Sequence, residues 1–268
     1  MTERVRAAHL RFGGTSWVTK GSFADNMREL SRCVDSMQFV LFDNEFGCNI
    51  PSAEEVSALA ALQEELGMSC TVHFPHDICL SPDMAERVRC EDSCLRMMEL
   101  FDALDPAAYI LHLDGEQFGK YPSADMERWT EMSAASLARL AKAARSSERI
   151  CVETLDYDVA IAYPLIKANG MSLCLDIGHL VRYGHPVLEQ TETYMADTPV
   201  LHIHGVKPDG TDHQSMEFFD AELFAALVER LAADGRDRIM TIEVFEDDYR
   251  RSIEAIKSSW GNKICLNI

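Results

Sequence analysis

The chain has 268 residues, 47% hydrophobic and 26% charged, with a formal net charge of −19 at pH 7. That is the composition of an ordinary folded protein, and the length suits a single α/β barrel of about 250 residues. The acidic balance argues against a protein that grips long nucleic acid, nine cysteines without a CxxC pair argue for a reduced cytoplasmic interior, and no run reaches the roughly 18 apolar residues of a membrane span.

Short β-rich runs alternate with helical patterns from end to end. Strand His9–Thr15 leads to a helix at Phe23–Cys33. Met37–Asp43 leads to Ala53–Leu66, where Ser52 or Pro51 supplies the start signal and Gly67 the stop signal. Ser69–Phe74 precedes Met84–Leu104, and Ala108–Leu113 precedes Ala124–Arg145. The second half pairs Ile150–Thr154 with Val159–Ala168, Ser172–Asp176 with Val187–Met195, Val200–His204 with Ala221–Ala233, and Ile239–Val244 with Tyr249–Ser258. Eight such units with no low-complexity linker predict one (β/α)8 TIM barrel over residues 1–268. A doubly wound Rossmann-like sheet should show a glycine-rich phosphate loop after its first strand, and Gly13-Gly14-Thr15-Ser16 is too short for that.

In a parallel barrel all strand C-termini open on one face, which carries the active site. Here those ends lead to Glu45, His73, His112, Glu153, Asp176 with His179, His202 with His204, and Glu243. Each has a bland reading, since a histidine at a strand end is often only a hydrogen-bonded core residue. Together they form a ring of carboxylates that would repel one another unless cations neutralise them. His plus carboxylate oxygen is a donor set for Zn²⁺, Mn²⁺ or Fe²⁺ rather than Mg²⁺ or Ca²⁺. The loop 204–213, HGVKPDGTDH, adds Asp212 and His213 within reach of the same rim.

The constellation resembles the xylose-isomerase-like barrels, which include the endonuclease-IV-type apurinic-site nucleases of the AP endonuclease 2 family, over nearly the whole chain. That resemblance implies His73, His112 and Glu153 for one metal, and Glu153, Asp176, His202 and Glu243 for a second. Asp176 to His179 matches the nucleases' Asp-x-x-His, whose histidine serves a third metal. The nucleases complete that third site with an Asp-x-His pair, whereas Asp212 and His213 are adjacent, so two metals are expected and the third is in question. Within the superfamily, VLFDNE (40–45), TVHFPHDI (71–78), YILHL (109–113), VETLDYD (152–158), LCLDIGHLVRYG (173–184), LHIHGV (201–206) with TDH (211–213), and IEVFE (242–246) are similar to the cobamide-remodelling phosphodiesterases.

The resemblance implies hydrolysis of the phosphoribosyl ester in the nucleotide loop of a B12-type corrinoid. Glu153 would bridge the metals, Glu243 would orient water, and His213 or His179 would assist the leaving group. Glu45, Asp77, Asp156, Tyr157, Tyr183 and His204 are candidate substrate contacts near the rim. The expected partner is a small-molecule corrinoid, with no nucleic acid and no membrane. Three other readings compete. A sugar isomerase or epimerase needs one metal only, for which Glu153, Asp176, His202 and Glu243 suffice. An apurinic-site nuclease shares the ligands but must also wedge apart DNA. A non-catalytic corrinoid-binding protein has no need of so many clustered donors.

Overall fold

The computed structural model describes residues 4, 6–75 and 83–260. Eight parallel strands close on themselves: β1 (Leu10–Thr15), β2 (Ser36–Val40), β3 (Ser69–His73), β4 (Tyr109–Leu111), β5 (Ile150–Glu153), β6 (Ser172–Asp176), β7 (Val200–Ile203) and β8 (Arg238–Ile242). The ring closes because β1 pairs with both β2, Thr15 opposite Gln38, and β8, Gly14 opposite Ile242. This is a closed (β/α)8 barrel. Around it run α1 (Phe23–Leu30), α2 (Ala53–Leu66), α3 (Met84–Leu100), α4 (Met126–Ala143), α5 (Tyr163–Ala168), α6 (Ile177–Arg182), α7 (Val187–Tyr194), α8 (Ala221–Asp234) and α9 (Glu246–Trp260).

Local chemistry sets most helix boundaries. Ser22 and Ser52 each close a capping box with an acid three residues on, Asp25 and Glu55, and α2 ends where Gly67 turns left-handed at φ 58°. Three expected boundaries are corrected. The second strand stops at Val40, because the Asn49 side chain takes over the next backbone groups, accepting from Phe42 N–H at 2.7 Å and donating to Val40 O at 2.9 Å. The segment beyond it folds back as a small hairpin, Asp43–Asn44 against Gly47–Cys48. The short helix α6 lies where a loop was expected. No helix among the described residues is long and apolar enough to cross a membrane.

Two cores flank the sheet. The larger packs the outward strand residues against the helices. The smaller, Ala108, Ile110, Cys151, Cys174 and Val200, fills the barrel. Strand side chains alternate between faces, so Ile110, Cys151, Cys174 and Val200 share their face with His112, Glu153, Asp176 and His202, two residues nearer the C-terminal mouth. The polar ring therefore rests on an apolar floor.

Candidate metal centre

Among the described residues, four overlapping donor groups meet at that mouth; one, Glu153 and His202 with Cys174, reaches down to the barrel floor, and the other three are the clusters of the rim. In the first, Nε2 of His73 and Nε2 of His112 stand 3.2 and 3.3 Å from Glu153 Oε2. In the second, Nδ1 of His202 lies 3.3 Å from the same oxygen, 2.7 Å from Glu243 Oε2 and 3.8 Å from Asp176 Oδ2. In the third, His204 Nε2 is 3.3 Å from Asp176 Oδ1, His179 Nδ1 is 3.5 Å from Asp176 Oδ2, and the His204 and His213 rings stack at 4.2 Å. Within each cluster one donor atom per residue lies within 4.8 Å of the others. Glu153 belongs to the first and second clusters and Asp176 to the second and third, so the clusters form a continuous row.

The scaffold presets the donors. His73 donates from Nδ1 to the carbonyl of Phe74 at 2.7 Å, which leaves Nε2 with its lone pair toward Glu153. His202 donates from Nε2 to Gln38 Oε1 at 2.8 Å, so the opposite nitrogen faces the carboxylates. Gln38, fully buried on β2, also donates from Nε2 to Glu243 Oε1 at 3.2 Å and accepts from Thr71 Oγ1 at 3.3 Å. One amide therefore orients two donors of the second cluster. Asp176 is held by its own backbone N–H, which donates to Thr154 Oγ1, and by its Oδ1, which accepts His179 N–H as the N-cap of α6, both at 2.8 Å. Gly178 has a steric role: a Cβ there would lie 2.2–2.4 Å from three atoms of the His204 ring.

The third cluster relies on a loop. Gly205 and Gln214 exchange backbone hydrogen bonds of 2.7 and 3.1 Å, closing the segment between them. His213 sits beside that bridge with φ 51°, a left-handed conformation costly for a residue with a Cβ, and its backbone nitrogen lies 3.0 Å from His204 Nδ1, which also faces the carbonyl of Gly205 at 3.2 Å.

Burial alone would raise the carboxyls of Glu153 and Glu243. The charges of the neighbouring histidines outweigh it, His202 and His112 holding Glu153 well below the usual range and His202 lowering Glu243. Burial likewise opposes charge on His112, yet Glu153 raises it to about 9. His202 and His204 are also raised by their acidic partners against burial. His213 goes the other way: burial, opposed by Glu243 and reinforced by His204, pushes it down to about 4 and leaves it a lone-pair donor at neutral pH.

The donors fit divalent metals. Ligands held about 2.0–2.2 Å from one ion in a tetrahedral shell stand roughly 3.3–3.6 Å apart; the donor pairs named above span 2.7–3.8 Å, with most at 3.2–3.5 Å. His112 Nε2, His202 Nδ1, His204 Nε2, Asp176 Oδ2 and Glu243 Oε2 are buried without a hydrogen-bond partner, even though His202 Nδ1 and Glu243 Oε2 are close. Leaving such atoms unpaired costs about 1–3 kcal/mol each. A shared cation would satisfy them together.

Of the residues singled out from sequence, His73, His112, Glu153, Asp176, His179, His202, His213 and Glu243 all stand in the row. Asp212 does not. Its carboxylate pairs with Arg182 and faces the His213 ring from outside the third cluster. His204, expected as a substrate contact, occupies the position in that cluster that Asp212 was expected to fill. Tyr157 is corrected too: it is buried, with its hydroxyl donating to the carbonyl of Leu113 at 2.7 Å. Asp156 accepts the N–H of Gly119 from the neighbouring loop, Tyr183 is exposed beside the His179 ring, and Glu45 is exposed on the hairpin after β2. Asp77 lies outside the described residues. Gln38, Thr71 and Thr154 were missed. Gln38 and Thr71 had a signal in their sequence: each is a polar residue inside an apolar strand, in SMQFV and SCTVH.

The sequence pattern of the family described as "Xylose isomerase-like TIM barrel" matches residues 33–259. The chain belongs to that family. A comparison with curated proteins finds no match. Among solved structures, a D-tagatose 3-epimerase-like protein superposes with a TM-score of 0.76 at 19% identity, covering 94% of this chain and 97% of that one. The 3-keto-D-glucoside 4-epimerase of E. coli gives 0.69 at 14%, covering 94% and 99%. An IolI protein with a zinc atom gives 0.69 at 14%, covering 96% and 100%. At such identities the likeness is one of fold.

Proposed function

We propose that the chain is a metal-dependent phosphodiesterase that opens the phosphoribosyl ester of a cobamide. The observation that carries this reading is the continuous row of donors, with Glu153 and Asp176 each shared between two clusters. A single metal needs only Glu153, Asp176, His202 and Glu243. His73, His112, His179, His204 and His213 are then five buried or half-buried histidines without a task. A phosphodiester is anionic and a poor electrophile, and divalent metals supply Lewis-acid stabilisation of its oxygens and a more acidic water.

The side chains divide the remaining work. Glu153 and Asp176, each shared between two clusters, would help to hold the cations. Glu243, fixed by Gln38 through one oxygen, presents its other oxygen to the site, where it orients water and takes its proton. Water oxygen bonds to phosphorus, the P–O bond to the ribose breaks with its electron pair on the ribose oxygen, and that oxygen takes a proton from solvent. Phosphate stays on the corrinoid and a ribazole-type nucleoside is released. That choice of bond rests on the segments shared with the cobamide-remodelling phosphodiesterases.

A second reading has an observation of its own. The second cluster alone is the four-donor set that a sugar isomerase or epimerase needs, and the superposed structures include sugar epimerases. The experiment offers reconstituted protein intact cobamides, a ketose such as D-fructose and an abasic DNA duplex, with products read by mass spectrometry. Release of the lower-ligand nucleoside from cobamides alone is expected. Epimerisation of the ketose with cobamides untouched would overturn the phosphodiesterase reading.

A further inference from the structure

Soluble proteins scatter exposed aromatic residues, and a concentration of them on one face marks an interaction site. Here the exposed aromatic residues among the described residues all follow strand C-termini. Trp17 lies after β1, Phe46 after β2, Phe118 and Tyr121 after β4, Tyr183 after β6, Phe218 after β7 and Phe245 after β8. None lies on the opposite face of the barrel. Phe46 and Phe118 are 91% and 94% exposed, on loops either side of β3, so packing does not explain them. The inner members reach the metal centre: Phe245 stacks 6.1 Å from the His213 ring, and Tyr183 lies 6.1 Å from that of His179.

The charges on this rim select the occupant. Asp43, Glu45, Glu116, Asp156, Asp209 and Glu246 stand at the same end of the barrel, on the segments that follow strand C-termini. The cations there are already engaged, Lys120, Arg182 and Lys207 lying over Tyr121, Tyr183 and Phe218 and Lys20 pairing with Glu246. A single-stranded nucleic acid would also stack on aromatic rings, but it requires a basic track for its backbone. An acidic aromatic collar suits a flat body that is neutral or cationic, attached to a single anionic ester that reaches the centre.

We propose that this collar is the specificity element of the enzyme, and that it holds a phosphodiester joining an aromatic nucleoside to a broad, uncharged or cationic ring system. Tyr183 and Phe245 stack the nucleoside base beside the third cluster, and Phe46 and Phe118 cover the broad ring. The corrin macrocycle, flat and carrying a cobalt cation, has that chemistry. The inference rests on the phosphodiesterase reading and deepens it.

The test compares full-length, metal-reconstituted protein with Phe46→Ala, Phe118→Ala and the double variant. Both side chains are exposed, so folding is preserved and circular dichroism checks it. Two substrates are used, cyanocobalamin and the small diester bis(4-nitrophenyl) phosphate, and cyanocobalamin binding to metal-free protein is followed by equilibrium dialysis. A stacked ring contributes about two- to tenfold in affinity. The double variant should bind cyanocobalamin at least about fourfold more weakly, and its kcat/KM ratio between cyanocobalamin and the small diester should fall by a similar factor, through KM. Binding and ratio both within twofold of wild type would overturn the collar. So would binding of a dT oligonucleotide or of phosphatidylglycerol vesicles that depends on the same two residues. Wild-type protein that binds cyanocobalamin but hydrolyses neither diester would strike the phosphodiesterase reading instead, since the dialysis still reports on the collar.

Discussion

The first two donor clusters and the third are built differently. The first two draw on the last residues of strands or the positions just beyond them. Glu153, opposite Cys174, and Asp176, opposite His202, are fixed by sheet register, and His73, His112 and Glu243 complete the ring. The third takes only Asp176 and His204 from the barrel mouth. His179 rides on a short helix, and His213 stands in a left-handed conformation on a loop. Register leaves a strand-borne donor no alternative position. A loop-borne donor depends on the few contacts that hold its loop.

That contrast orders the expected effects of mutation. Glu153→Gln removes the charge shared by the first two clusters, and phosphodiester turnover should fall by about 10²- to 10³-fold or more while the circular dichroism spectrum stays native. Retained activity would show that the two clusters do not work as one unit. Gln38→Ala leaves every donor in place but frees His202 and Glu243 to turn. Loss of a residue that orients ligands lowers metal affinity by about 10–100-fold, measurable by competition with a chelator, and affinity should return in part with Gln38→Asn. An unchanged affinity would mean that the barrel alone orients these donors.

Gly178→Ala tests the third cluster through packing. The new Cβ must displace the His204 ring, so we expect a loss of about 1–3 kcal/mol in stability, read by urea unfolding, with the second cluster's metal retained. Loss of every bound metal would contradict a separable third cluster. The smallest effect is expected from Asp212→Ala. Its partially exposed pair with Arg182 contributes at most about 1 kcal/mol, and metal content should not change. A lost equivalent of metal would return Asp212 to the ligand set.

The same contrast explains what could be read in advance. All eight barrel strands are legible as apolar runs, because each must bury both faces, and each ends within three residues of its expected position. The strand-borne donors were therefore legible as well. His204 shares the period-2 face of His202, yet in the sequence alone it reads as a substrate contact, with the ligand position given to Asp212. The choice between Asp212 and His204 depended on the Gly205–Gln214 bridge and on the room that Gly178 leaves for a ring, both tertiary facts. Gln38 stands out in its apolar strand as a polar residue, but the strand does not say what it holds. Its role depends on His202 and Glu243, 164 and 205 residues away in the chain.

The most direct test of the shared row of donors is metal stoichiometry. Protein stripped with a chelator, reconstituted with Zn²⁺ or Mn²⁺ and freed of excess metal should hold more than one ion per chain by inductively coupled plasma mass spectrometry, and Glu153→Gln should hold fewer. A wild-type stoichiometry that stays at one, unchanged in Glu153→Gln, would contradict the account and leave the second cluster as an isolated single-metal site.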